Sequence, residues 1–107
     1  KTVNAKAINA AITKAGSSKN DVTKIILGSK VTRVAASAFK NYKNVKTIEV
    51  RTMRFAKKGV KNSLKNSNVK TVKINVSKKT ALNNKYFKKY KKFFTKANAG
   101  KKVTIKK

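Results

Sequence analysis

Asp21-Val22-Thr23-Lys24-Ile25-Ile26-Leu27, Asn44-Val45-Lys46-Thr47-Ile48-Glu49-Val50 and Asn68-Val69-Lys70-Thr71-Val72-Lys73-Ile74 align without gaps. The steps are 23 residues from Val22 to Val45 and 24 from Val45 to Val69. Each segment carries branched apolar side chains at its last and third-last positions, the period of a strand with one buried face. Val103-Thr104-Ile105 repeats the strand end. Strands are thus predicted near 22–27, 45–50, 69–76 and 103–106. In this alignment Ile26, Glu49, Lys73 and Thr104 share one rung of the exposed face.

Short returns of near-constant length between such strands are the mark of a parallel solenoid. Residues 36–41 and 57–65 fit helical or turn returns. Asp21, Asn44 and Asn68 precede the strands, where short Asx side chains bond nearby backbone in turns. The last return reads as one long helix over 80–97. Leu82, Tyr86, Tyr90, Phe93 and Ala97 fall within about 80° of one another, and Phe87 and Phe94 widen the stripe. At helical spacing opposite lysines, these aromatics read as core and not as a stacking platform. Upstream, residues 4–15 read as a helix with Ile8 and Ile12 on one face, Asn4 as N-cap and Gly16 as stop. The expected organisation is one domain over 1–107: a cap at 4–20, repeats at 21–76, and a helix-and-strand cap at 77–107.

Charge dominates the composition. Thirty Lys and Arg stand against Asp21 and Glu49, a formal net charge of +28 on 107 residues. Such a field attracts polyanions and opposes compaction. Arginine stands only at positions 33, 51 and 54. A lysine-dominated surface suits diffuse electrostatic adhesion more than base-edge readout. No apolar run approaches 18 residues, so no transmembrane helix is expected. The chain opens on Lys1, which reads as a processed product or a fragment.

The segment Ser29-Lys30-Val31-Thr32-Arg33-Val34-Ala35-Ala36-Ser37-Ala38-Phe39, continued through Tyr42, Val45, Ile48 and Val50, resembles the BspA-like leucine-rich repeat. Ala38-Phe39 match that family's A-F pair, and Ile48 and Val50 its I-x-I. Tyr42 stands in place of the usual Cys and Val45 in place of Leu. Arg51 replaces the usual Pro and Ala35 the Gly. The following repeat, through Phe55, Val60, Leu64, Val69, Val72 and Ile74, is degenerate. The likeness spans roughly residues 22–76. It implies a curved parallel β-solenoid, and with the helices read above the expected fold is a short right-handed leucine-rich-repeat solenoid of the α/β class, with a small parallel sheet, an N-terminal helix cap and a long C-terminal helix. It further implies a secreted or cell-surface protein of bacteria acting in adhesion and cell-wall association. No catalytic residues come with it.

An enzyme is disfavoured by elimination. The chain has no His and no Cys, so the commonest general base, the thiol nucleophile and thiolate metal sites are missing. Asp21 and Glu49 fall on different repeats and do not form a carboxylate pair. Isolated Gly28 and Gly59 make no phosphate-cradling loop. No cofactor or metal is expected. Candidate anion-binding residues are Lys85, Lys88, Lys89, Lys92 and Lys96, on one face of the expected final helix. Lys24, Glu49 and Lys73 are candidate contacts on a concave sheet face. For Glu49 the preferred reading is an exposed cross-strand pair with Lys73; the other is a ligand contact. The expected partner is an anionic cell-wall polymer, an acidic glycan or an acidic host protein. A nucleic acid bound through non-specific electrostatics is the alternative, and a membrane-active role for the 80–97 helix the second alternative.

Overall fold

Branched apolar residues at alternate positions mark four short parallel strands: β2 (Lys24–Leu27), β4 (Thr47–Val50), β5 (Thr71–Ile74) and β6 (Thr104–Lys106), paired in that order. A computed structural model describes residues 2–3 and 21–107. The expected helix at 4–15 and the rest of the 4–20 cap lie outside them. Strand β1 (Thr2–Val3) pairs in parallel with β3 (Arg33–Val34) as a separate small sheet.

One face of the main sheet supplies the core. Leu27, Ile48, Val50, Val72 and Ile74 are buried there. Phe39, Tyr42, Val60 and Leu64 close it from the returns, and Tyr90 and Phe94 from the C-terminal region. Val45 and Val69 are fully buried but precede their strands, because the chain is still turning there. Val45 N–H donates to Tyr42 O, and Lys70 and Thr71 both donate to Lys46 O.

The expected register holds for three strands, where Ile26, Glu49 and Lys73 share a rung. The fourth member is Lys106, not Thr104, which pairs with Thr71. The slip is two residues, so Ile105 still points inward, now beside Val72. Val103, ahead of the strand, packs against the core.

The solenoid expectation is not met. A solenoid stacks near-identical coils, but the returns here are of three unlike kinds. The first, over 28–46, is a series of turns carrying β3; residues 36–41 form turns and no helix. The second holds a 3₁₀ turn at Lys57–Val60. The third is helical. Backbone bonds join the returns, Ser37 N–H to Asn62 O between the first and second, and Asn62 N–H to Asn98 O and Leu64 N–H to Ala99 O between the second and third. Asn68 does not make the simple local turn expected of it. Its Nδ2 donates across to Lys43 O at 3.0 Å, tying one return to the next.

The long C-terminal helix is also replaced. Two helices are found among the described residues, α1 (Thr80–Lys91) and the short α2 (Lys96–Ala99). The break is explained by Thr95. It is extended, at φ −90° and ψ 160°, and its hydroxyl accepts from Asn98 N–H at 3.2 Å, capping a new helical turn. The bend carries the buried Phe94 to Phe55, with ring centroids 6.0 Å apart. It buries Ala99 and leaves Ala97 exposed, reversing the expected face. Gly100, at φ 90°, then ends α2. A Cβ there would meet Lys65 Cβ at 2.8 Å.

Polar side chains of α1 tie it to the end of β5 and to the turn after β4. Asn83 Oδ1 accepts from Val76 N–H at 2.9 Å while its Nδ2 donates to Ile74 O at 3.0 Å, satisfying the end of β5. The Tyr90 hydroxyl donates to Thr52 O at 2.8 Å, and burial pushes its pKa up to about 12.

Ile48 is fully buried at the centre of the sheet. Ile48→Ala is expected to lower the free energy of unfolding by about 2–5 kcal/mol, read by urea denaturation. A loss under about 1 kcal/mol would contradict the packing described.

Candidate polycationic binding surface

The lysines of the C-terminal region stand outward because the apolar stripe of α1 is consumed by the core. Lys85, Lys88 and Lys89 lie on α1, Lys92 is its C-cap and Lys96 opens α2; all five are exposed. They do not form one continuous helix face. The first four keep the i, i+3, i+4, i+7 spacing, whereas Lys96 sits on a separate helix axis beyond the bend.

Aromatic rings hold one of these cations, Lys89, and two neighbouring lysines in place. Lys89 Nζ is 5.5 Å from the Tyr86 ring centroid and 6.0 Å from that of Phe93. Lys91 and Lys107 both approach Phe87, at 5.4 and 5.3 Å. Lys107 Nζ also donates to Asn84 Oδ1 at 2.9 Å. Exposed cation–π contacts are worth about 0.5–1 kcal/mol each. The helix macrodipole helps too, since Lys88, Lys89 and Lys91 occupy the last turn of α1. The like-charge repulsion expected along α1 is therefore partly offset. Lys91 and Lys107 are not among the five candidate anion-binding lysines of the sequence. Lys91 precedes Lys92 in a lysine run, but the approach of Lys107 depends on the register of β6.

Glu49 occupies a different environment from the one expected. It faces away from the apolar core, on the rung of Lys73, yet it is only 2% exposed. Lys24 Nζ lies 2.8 Å from Oε1, and Arg51 Nε donates to Oε2. Thus Lys24 and Glu49 are brought together as a diagonal pair, while the ion pairs of Glu49 run to Lys24 and Arg51 and not to Lys73. The hydrogen bond from Lys24, assisted by Arg51, holds the carboxyl at about 2, against the pull of burial in the other direction.

No family model, curated protein or solved structure matches this chain. Among the described residues no group of three or more His, Cys, Asp or Glu could hold a metal ion, and no helix is long and apolar enough to cross a membrane.

The Glu49 ion pairs should make stability pH-dependent. Above its ordinary value of 4.5 Glu49 is ionised folded and unfolded alike, and the ion pairs contribute in full. As pH falls toward about 2 the unfolded chain binds a proton that the folded chain refuses, so this contribution is lost. Its upper bound is about 3 kcal/mol, reduced by solvent screening of the half-exposed Lys24 and Arg51. Denaturation at successive pH values should show wild type exceeding Glu49→Gln at neutral pH and the gap closing toward pH 2. A gap independent of pH would contradict the pairing.

Proposed function

We propose that this chain is a non-catalytic, secreted or cell-surface binding module whose lysine surface holds an anionic cell-wall polymer, an acidic glycan or an acidic partner protein. The observation that carries this reading is the exposure of Lys85, Lys88, Lys89, Lys92 and Lys96 on a chain with two acidic residues, one of them already engaged by Lys24 and Arg51. A polyanion laid along these lysines releases its condensed counterions and needs no shaped pocket. The stacking of Lys89, Lys91 and Lys107 on aromatic rings supports the same reading. Side chains already held in place lose less freedom on binding.

Placement at a bacterial surface rests on the BspA-like pattern of Ala38-Phe39, Tyr42, Val45, Ile48 and Val50. All six of these residues are buried. Absence of His and Cys supports a role without catalysis. Arginine is scarce, which favours diffuse adhesion over sequence-specific nucleic-acid recognition.

Binding to teichoic acid, heparin and duplex DNA, titrated in parallel against salt, tests the reading. Affinity should be high in low salt and tolerant of ligand identity. Engagement of about five phosphates on a duplex gives a slope of about −4 to −5 in log K against log salt. Replacing Lys88, Lys89 and Lys92 with Gln should lower that slope without loss of the fold. Salt-independent affinity, or no binding at low salt, refutes the mechanism, and strong preference for one DNA sequence replaces it with nucleic-acid recognition.

A further inference from the structure

The turn that follows β4 reads Arg51-Thr52-Met53-Arg54 and gathers features found together nowhere else among the described residues. Two of the chain's three arginines stand in it, against an overwhelming background of lysine. Met53 is 44% exposed, and Ile26, 48% exposed, is the other large apolar side chain at the surface among the described residues. The sheet sets Ile26 beside the start of this turn, and Met53 follows Arg51 by two residues. Ile26 shares a rung with Glu49 on the face that carries Arg51, and Arg51 N–H donates to Leu27 O at 2.9 Å.

The turn is rigid. Thr52 is fully buried, its hydroxyl donates to Val31 O at 2.6 Å and accepts from Arg54 N–H at 3.1 Å, and its carbonyl accepts from Tyr90. Anchoring Thr52 inward leaves Met53 and Arg54 outward. Glu49 takes the Nε of Arg51, which fixes the guanidinium while its side chain stays 49% exposed. An arginine set this way is prepared for forked pairing with a carboxylate. A flexible methionine beside it is suited to an apolar side chain of varied shape.

We infer that Ile26 and the Arg51–Arg54 turn form a docking patch for an acidic protein segment in which carboxylates flank an apolar side chain. Charge complementarity selects the acidic partner. The exposed apolar pair selects protein over a uniformly charged polymer, to which Ile26 and Met53 offer nothing. The patch involves none of the C-terminal lysines, so it stands or falls apart from the polymer-binding reading.

The test uses a fluorescent synthetic peptide of aspartates and glutamates around two central leucines, a control with serines for the leucines, and heparin. The leucine peptide should bind about ten-fold more tightly than the control at moderate salt. The margin should vanish in the double variant Ile26→Thr, Met53→Ser, whose heparin affinity stays at the wild-type level. Arg54→Lys keeps the charge but loses the fork, and should weaken the leucine peptide several-fold. The triple Gln replacement of Lys88, Lys89 and Lys92 should leave the margin intact. All substituted side chains are exposed, and circular dichroism checks that each variant folds. Equal binding of the two peptides, a margin that survives the double variant, or an unchanged affinity in Arg54→Lys overturns the inference. So does a double variant that loses heparin as strongly as peptide, which assigns the patch to polymer instead.

Discussion

Self-repulsion is the constraint under which the whole fold operates. A chain of 107 residues with a net charge of +28 must be held together by forces that owe little to charge. Apolar packing supplies them, through Leu27, Ile48, Val50, Val72 and Ile74 on one sheet face and Phe39, Tyr42, Leu64, Tyr90 and Phe94 around it. The lysines are pushed outward as a consequence, and the places where they are compensated are local. Lys24 and Arg51 converge on Glu49. Lys89, Lys91 and Lys107 lie over aromatic rings. Screening by dissolved ions or by a bound polyanion adds to these.

Tyr90 and Thr52 connect this core to both proposed surfaces. The aromatic cluster of Phe55, Tyr86, Tyr90, Phe93 and Phe94 seats α1 and the bend after it, which sets where the C-terminal lysines stand. The bond from Tyr90 to Thr52 O fixes the turn that presents Met53 and Arg54. One buried hydroxyl thus supports two exposed regions of different chemistry.

The period-two pattern made the strands and their inward faces legible, since an alternating segment has only one way to bury its branched residues. Near-equal steps of 23 and 24 residues measured the distance between strands but said nothing about the shape of the returns, and the solenoid expectation failed on that point. The helical wheel placed Tyr86 and Tyr90 correctly on the core side. It could not show that the chain would bend before Ala97; the signal was Thr95, a good N-cap residue three positions before Asn98. Alternation put Glu49 on the sheet face away from the core, where exposure is the rule. Its burial depends on diagonal approach from Lys24 and on Arg51 two residues along, geometry that a one-dimensional pattern does not carry. The C-terminal lysines were legible as a cationic cluster, the Arg51–Arg54 patch was not. Nothing in the sequence distinguishes an exposed Met53 from a buried one until the inward anchoring of Thr52 is known.

If the lysine surface is left uncompensated by the protein and completed by a polyanion, its charge must cost stability when neither salt nor ligand is present. The most direct measurement is the melting temperature in low-salt buffer, followed as salt or heparin is added, for wild type and for the triple Gln replacement of Lys88, Lys89 and Lys92. The account predicts that both additions raise the wild-type melting temperature. It also predicts that the triple variant starts higher in low salt and gains less from heparin. A wild-type melting temperature indifferent to salt and heparin, or a triple variant that gains as much as wild type, would contradict it.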